Sequence, residues 1–272
     1  MGWLIKIGIS LIVLYAAAVV LLYVAQTWLI FPTGLAGRGA PQLPEVAERL
    51  EFTSADGYRL VGLHVPPLGE ESDNPALIIG FGGNAWNADA LALYLHNLYP
   101  EHHIATAHYR GYAPSTGRPS ASAILDDALV VHDALADRLD TDEIVPVGLS
   151  IGAGPAGRIA AERPVAGVIL VTPFDSLSAL ARHHYPWVPV EPFLRHRMPI
   201  AETVARTEVP AAVITAQYDS IVPAERSEPV IRAAHHLVMN RQVQGANHND
   251  LYSDPAFAST MREALELIRQ RQ

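Results

Sequence analysis

From Ala76 to the C-terminus the chain alternates short apolar runs with stretches of helical spacing, and this alternation limits the possible folds more than any other feature. Ala76–Phe81 (ALIIGF), Ile104–His108, Ile144–Val147, Val165–Val171, Ala211–Ala216 and His236–Val243 read as strands. Between them, Asn87–Leu98, Ala121–Leu139, Ile151–Glu162, Pro223–Ala234 and Pro255–Arg269 carry apolar residues at helical intervals. Strand, helix and strand in sequence close through a right-handed crossover. The expected architecture is therefore an α/β fold: a mainly parallel sheet with helices on both faces. Leu50–Val65 differs, because Asp56-Gly57 sits between two alternating runs and predicts an antiparallel hairpin at one edge. Pro146 counts against its strand, where it removes a ladder donor. Pro155 falls early in the next helix, where a missing N–H costs little. Residues 175–207 have little strand character and several aromatics and prolines. They read as a small cap insertion over the C-terminal edge of the sheet, where such folds bind ligands.

The N-terminus is different in kind. Ile7–Phe31 runs for 25 residues without a charge. That is about 37 Å of helix, longer than the roughly 30 Å hydrocarbon core of a bilayer. Trp3, Tyr23 and Trp28 suit the two interfaces. Residues 1–31 therefore read as a retained single-pass membrane anchor, with the lipid bilayer as a partner. A signal peptide cut at Ala16-Ala17-Ala18 is the alternative, although the apolar run continues past Ala18. A buried core helix is a third reading. Lys6 precedes the span, and Arg38, Glu45, Glu48, Arg49 and Glu51 follow it. The small basic bias puts the N-terminus inside and the bulk of the chain outside the cytoplasm, at the cell membrane. Residues 32–49, rich in Pro and Gly, read as a linker, leaving 50–272 as one domain that carries the cap.

Composition excludes several classes. With 28 acidic and 19 basic side chains the net charge is −9, which disfavours nucleic acid as a partner, since phosphate binding needs clustered Lys and Arg. Cysteine is absent, which removes disulfides, thiolate metal sites and a Cys nucleophile. The pairs His102-His103, His183-His184 and His235-His236 invite a metal reading, but none has ligand spacing with an evident carboxylate, so neither metal nor cofactor is expected.

Gly148-Leu149-Ser150-Ile151-Gly152 follows a strand and opens a helix. That is the context of a nucleophile elbow, in which a strained turn exposes the serine. Taken alone, GxSxG is also an ordinary Gly-rich loop. Its weight comes from partners in the order Ser, acid, His. Asp219 follows the strand Ala211–Ala216, and His248 follows His236–Val243, so both fall at the same sheet edge as Ser150. His248 would take the serine proton, and Asp219 would hold its tautomer. Asp219 also suits a turn, and Asp175 competes for the role of acid. Ile151 N–H, at a helix N-terminus, and Asn84 N–H, in the loop Gly80-Phe81-Gly82-Gly83-Asn84-Ala85-Trp86-Asn87, are the candidate oxyanion donors. Asn87 equally suits a helix N-cap. Trp86, Tyr112, Tyr185 and Trp187 either line an acyl pocket or pack as core.

With these pieces in hand the chain resembles the α/β-hydrolase superfamily. More narrowly it resembles the membrane-anchored serine hydrolases that include the acyl-protein depalmitoylases and their bacterial relatives. The resemblance runs along nearly the whole chain: the span ending Leu29-Ile30-Phe31-Pro32, Gly83-Asn84-Ala85, the run from Tyr109-Arg110-Gly111-Tyr112 to Gly117-Arg118-Pro119-Ser120, and the Ser150 motif. It continues through Pro173-Phe174-Asp175-Ser176-Leu177, His184-Tyr185-Pro186-Trp187, Asp219 with Val222-Pro223, and His248-Asn249-Asp250. It implies the α/β-hydrolase fold, the triad Ser150, Asp219 and His248, and hydrolysis of an ester or thioester in a small-molecule or acylated substrate through an acyl-enzyme. Gly82-Gly83 stands where relatives have His-Gly, and Ala216 stands where a glycine is usual. A non-catalytic membrane-bound binding module and a peptidase of the same fold are the alternatives.

Overall fold

The structure, a computed structural model, describes residues 2–36, 41–68, 74–139, 141 and 143–271. Gly2–Ile30 forms a single helix, α1, apolar all round, in which only Val19 and Gln26 are buried. Among the described residues it is the one helix long and apolar enough to cross a membrane. The one-turn helix α2 (Thr33–Ala36) buries Ala36 beside Phe31. Residues 37–40, the middle of the expected linker with Arg38 among them, lie outside the described residues.

β1 (Glu48–Thr53) pairs antiparallel with β2 (Arg59–Val65), with Glu51 opposite Val61. Gly57 closes the expected hairpin at φ +85°, a conformation glycine adopts without steric cost. The strands and helices then alternate: β3 (Leu77–Phe81), α3 (Ala88–Leu98), β4 (His103–Ala107), α4 (Ala121–Leu139), β5 (Ile144–Leu149) and α5 (Ala153–Glu162), the last two joined by a 3₁₀ turn at Ser150–Gly152. β6 (Val168–Val171) is followed by three short helices, α6 (Leu177–His184), α7 (Val190–Phe193) and α8 (Ile200–Val204). β7 (Ala211–Ala216), α9 (Ala224–Ala233), β8 (Leu237–Val243) and α10 (Pro255–Arg269) complete the chain.

The sheet order is β1-β2-β4-β3-β5-β6-β7-β8, and β3 to β8 all run parallel. Alternate side chains of the inner strands β3 to β7 enter two cores. Ile79, Leu170 and Val213 pack with Ile124 and Val131 of α4 and Ile159 of α5. Ile78, Val147 and Ile169 pack with Leu95 of α3 and with Phe257, Met261 and Ile268 of α10. From β3 the chain moves outward to β4, then returns to β5 on the other side of β3. The order therefore reverses between β3 and β5, and the loops beyond these two strands diverge to leave a crevice.

Two strand expectations need correcting. β6 begins at Val168 rather than Val165, because Ala166 N–H instead donates to Ile144 O (2.8 Å). That bond also explains why β5 tolerates Pro146. Backbone groups alternate sides along a strand, so Pro146 faces β6 as Ile144 does, and pairing with β6 starts only at Val147.

Candidate functional site

β5 ends at Leu149, and the chain turns through Ser150 at φ +55°, a left-handed conformation that costs a non-glycine residue about 1–3 kcal/mol. The flanking glycines make the turn possible. A Cβ on Gly148 would collide with the Gly152 carbonyl and lie 2.6 Å from Ala153 Cα. A Cβ on Gly152 would run into the Phe81 carbonyl at the end of β3. The start of α5 is thus pressed against two strand ends, which lifts Ser150 onto the crevice. Among the described residues its hydroxyl makes no hydrogen bond, and Ile151 stands in the first helical turn behind it.

The loops after β7 and β8 bring Asp219 and His248 together. His248 Nδ1 and Asp219 Oδ2 are 2.7 Å apart, with both side chains nearly closed to solvent. Asp219 Oδ1 accepts from the backbone N–H of Ile221 (2.9 Å) and Val222 (2.6 Å). Asn247 Oδ1 ties the two loops, accepting from Ser220 N (3.2 Å) and His248 N (2.7 Å). Asp175, the competing acid, is engaged elsewhere: it accepts from Ser176 N (2.9 Å) and pairs with Arg226 (3.2 Å).

The loop after β3 runs beside Ser150; a Cβ on Gly83 would lie 3.9 Å from Ser150 Cβ. Phenols hold this loop from behind. Tyr109 Oη donates to Gly82 O and Tyr112 Oη to Asn84 O, both at 2.8 Å, and burial pushes both phenols above their ordinary pKa. Asn87 is the N-cap of α3, its Oδ1 accepting from Asp89 N (2.9 Å) and Ala90 N (3.1 Å). Next to it Asp89 takes a bidentate bond from Arg49 (2.6 and 2.7 Å) and lies 3.1 Å from His108. Burial alone would raise the Asp89 carboxyl; the bonds to His108 and Arg49 outweigh it and lower the group to about 2.

Ser150, Ile151, Asn84 and His248 line one cleft of about 900 Å³, mostly apolar. Trp86 and Tyr185 also line it. Trp86 packs against Tyr252 (ring centroids 4.7 Å) and Tyr94 (5.6 Å), and burial pushes the Tyr94 phenol up to about 12. Tyr112 and Trp187 do not line it, which corrects two of the four expected pocket residues. Tyr112 is buried beneath the Asn84 loop, where its hydroxyl is committed. Trp187 points outward and is half exposed, beside Tyr15 of α1. Reading the sequence also missed a whole wall of the cleft, the C-terminal half of α1 from Val19 to Ile30. One signal was present: Gln26 is a lone amide late in an uncharged apolar run. Among the described residues no group of three or more His, Asp or Glu is placed to hold a metal.

No protein-family profile matches the chain. It is 31% identical over 248 residues to the uncharacterized protein Rv2307c of Mycobacterium tuberculosis, covering 89% of this chain and 87% of that one. It is 26% identical over 192 residues to lysophosphatidylserine lipase ABHD12 of Macaca fascicularis, covering 60% of this chain and 48% of that protein. In three dimensions it is similar to the Pyrococcus furiosus esterase Pf2001, with TM-score 0.66 and 17% identity over 84% of this chain and 95% of the esterase, a likeness of fold.

Proposed function

The chain belongs to the α/β-hydrolase superfamily, and from that premise we propose that it is a membrane-anchored serine hydrolase that cleaves carboxylic esters or thioesters through an acyl-enzyme. The observation that carries this reading is the 2.7 Å contact of His248 with Asp219 in the cleft that Ser150 enters from a left-handed turn. In this mechanism Ser150 Oγ attacks the acyl carbonyl and its proton passes to His248 Nε2. Asp219 keeps the other ring proton on Nδ1 and stabilises the imidazolium. The backbone N–H groups of Ile151 and Asn84 receive the oxyanion; losing one such donor typically costs about 3–4 kcal/mol. His248 then protonates the leaving group, and a water repeats the cycle to release the acid. The apolar lining suits an acyl chain better than a peptide. α1 is the anchor, and Lys6 ahead of it favours the N-terminus inside and the catalytic residues outside the cytoplasm.

The test is a fluorophosphonate probe applied to the detergent-solubilised full chain and to Ser150→Ala, with the adduct located by mass spectrometry. An adduct at Ser150, absent from the variant, is expected. A folded wild-type protein that takes no label would overturn the reading.

A further inference from the structure

α1 does more around the cleft than a tether requires. Val19, Leu22, Tyr23, Gln26, Leu29 and Ile30 lie on one helical face, and that face lines the same cleft as Ser150 and His248. The opposite face is bare: Val20, Leu21, Val24 and Trp28 are each at least 60% exposed. Both faces are apolar, so hydrophobicity does not choose between them; polar contacts with the segment between β6 and β7 do. Gln26, buried, donates to Phe193 O (3.2 Å) and accepts from Arg195 N (2.8 Å). Thr27 Oγ1 lies 2.7 Å from His196 Nε2, and Tyr15 Oη donates to Trp187 O (3.0 Å).

These contacts fix where a membrane would lie. From Lys6, whose charge belongs at the headgroups, to Tyr15 the helix rises only about 14 Å, short of the roughly 30 Å hydrocarbon core. With Lys6 at one face, a bilayer crossed by α1 therefore extends about 16 Å beyond Tyr15, past the level of Trp187. The tip there, Tyr185-Pro186-Trp187-Val188-Pro189-Val190, has no charge, and Tyr185, Trp187 and nearby Phe193 are each over 40% exposed. Such an uncharged tip enters the acyl-chain region of the near leaflet at little cost, with the polar ends of Tyr185 and Trp187 free to reach toward its boundary.

We propose that the anchor helix is itself a wall of the acyl-binding site, and that a long acyl chain lodged in the near leaflet enters the cleft sideways between α1 and the Tyr185–Val190 tip. This rests on the serine-hydrolase reading for its reaction but not for its binding geometry. Leu22, on the cleft face, and Leu21, one residue round the helix on the bare face, separate a wall from a tether.

The experiment uses the full chain in nanodiscs and p-nitrophenyl esters of butanoate and hexadecanoate. Leu22→Trp is expected to lower kcat/KM for hexadecanoate by at least about tenfold while butanoate stays within about twofold, and Leu21→Trp is expected to change neither. Identical profiles for the two variants would overturn the proposal. The same hexadecanoyl chain offered as a lysophospholipid or as an S-acylated peptide should show the same sensitivity, and the faster of the two identifies its source. A diazirine-bearing hexadecanoate supplies a readout free of catalysis and of variant folding. Its crosslinks to Leu22 and Tyr23 should be competed away by unlabelled hexadecanoate, and those to Leu21 and Val24 should persist as bulk lipid contacts. Crosslinks at Leu22 and Tyr23 that resist competition would overturn the wall. Competed crosslinks in a protein that hydrolyses no ester would sink the hydrolase reading instead.

Discussion

The carboxylate of Asp219 holds two things at once: Oδ2 meets His248 Nδ1 at 2.7 Å, while Oδ1 is locked by the backbone N–H groups of Ile221 and Val222. The carboxylate therefore has little freedom to rotate, and neither does the ring it orients. An amide at this position can keep the Oδ1 contacts but presents its NH₂ to Nδ1. The ring proton then moves to Nε2, the atom that accepts from Ser150 in the proposed mechanism. Asp219→Asn is expected to lower kcat by about 10⁴-fold with the fold retained. Ester hydrolysis read beside a thermal melt checks this, and a loss below about tenfold would assign the acid elsewhere.

The glycines at the start of α5 and within it offer a contrast of sign. At Gly152 the obstacle is the Phe81 carbonyl, backbone of a central strand that has no way to yield. Gly152→Ala is expected to destabilise by about 1–3 kcal/mol and to reduce fluorophosphonate labelling. At Gly157, inside the helix that follows, the nearest atom to an added Cβ is Val204 Cγ2 at 3.5 Å, an ordinary contact. Gly157→Ala gains helix propensity and is expected to stabilise by up to about 1 kcal/mol. Thermal melts of the two variants should move in opposite directions; a shared direction would refute the packing account.

The parallel sheet was legible because its inner strands, covered on both faces, must be largely apolar, as Val168–Val171 is throughout. The placing of Ser150, Asp219 and His248 at one edge followed from that, since each stands just after a strand. The role of α1 was not legible for the converse reason. A helix apolar all round carries no periodic face, so nothing marks Leu22 as facing the cleft and Leu21 as bare. Aromatic identity was no better a guide. Tyr112 and Tyr185 look alike in sequence, yet the first is committed beneath the Asn84 loop and the second lines the cleft.

The bond from Tyr112 to Asn84 O gives the loop after β3 a support that can be removed without touching the cleft lining. Tyr112→Phe keeps the ring in its buried site and deletes only the donor. The expected cost is about 1 kcal/mol in stability. With the Asn84 N–H, the proposed oxyanion donor, less firmly aimed, kcat should fall by several-fold while KM stays nearly constant, since the oxyanion forms after binding. A rise in KM at constant kcat would show that the bond shapes the pocket rather than the oxyanion donor.

Asp89 anchors the other end of that loop. Its carboxylate is buried between Arg49 and His108, and its folded-state pKa is held at about 2, below the roughly 3.9 of an unfolded chain. A depressed carboxylate contributes stability that is fully present above the unfolded value and is lost as pH falls through the folded one. The stability gap between wild type and Asp89→Asn should therefore be constant from neutral pH down to about 5 and close between about 4 and 2. Arg49→Met, which leaves His108 in place, should narrow the gap without abolishing it. Denaturant unfolding at pH 7, 5, 4 and 3 reads the trend directly. A gap that widens on acidification would mean that Asp89 enters the fold protonated and that Arg49 and His108 do not hold it as an anion.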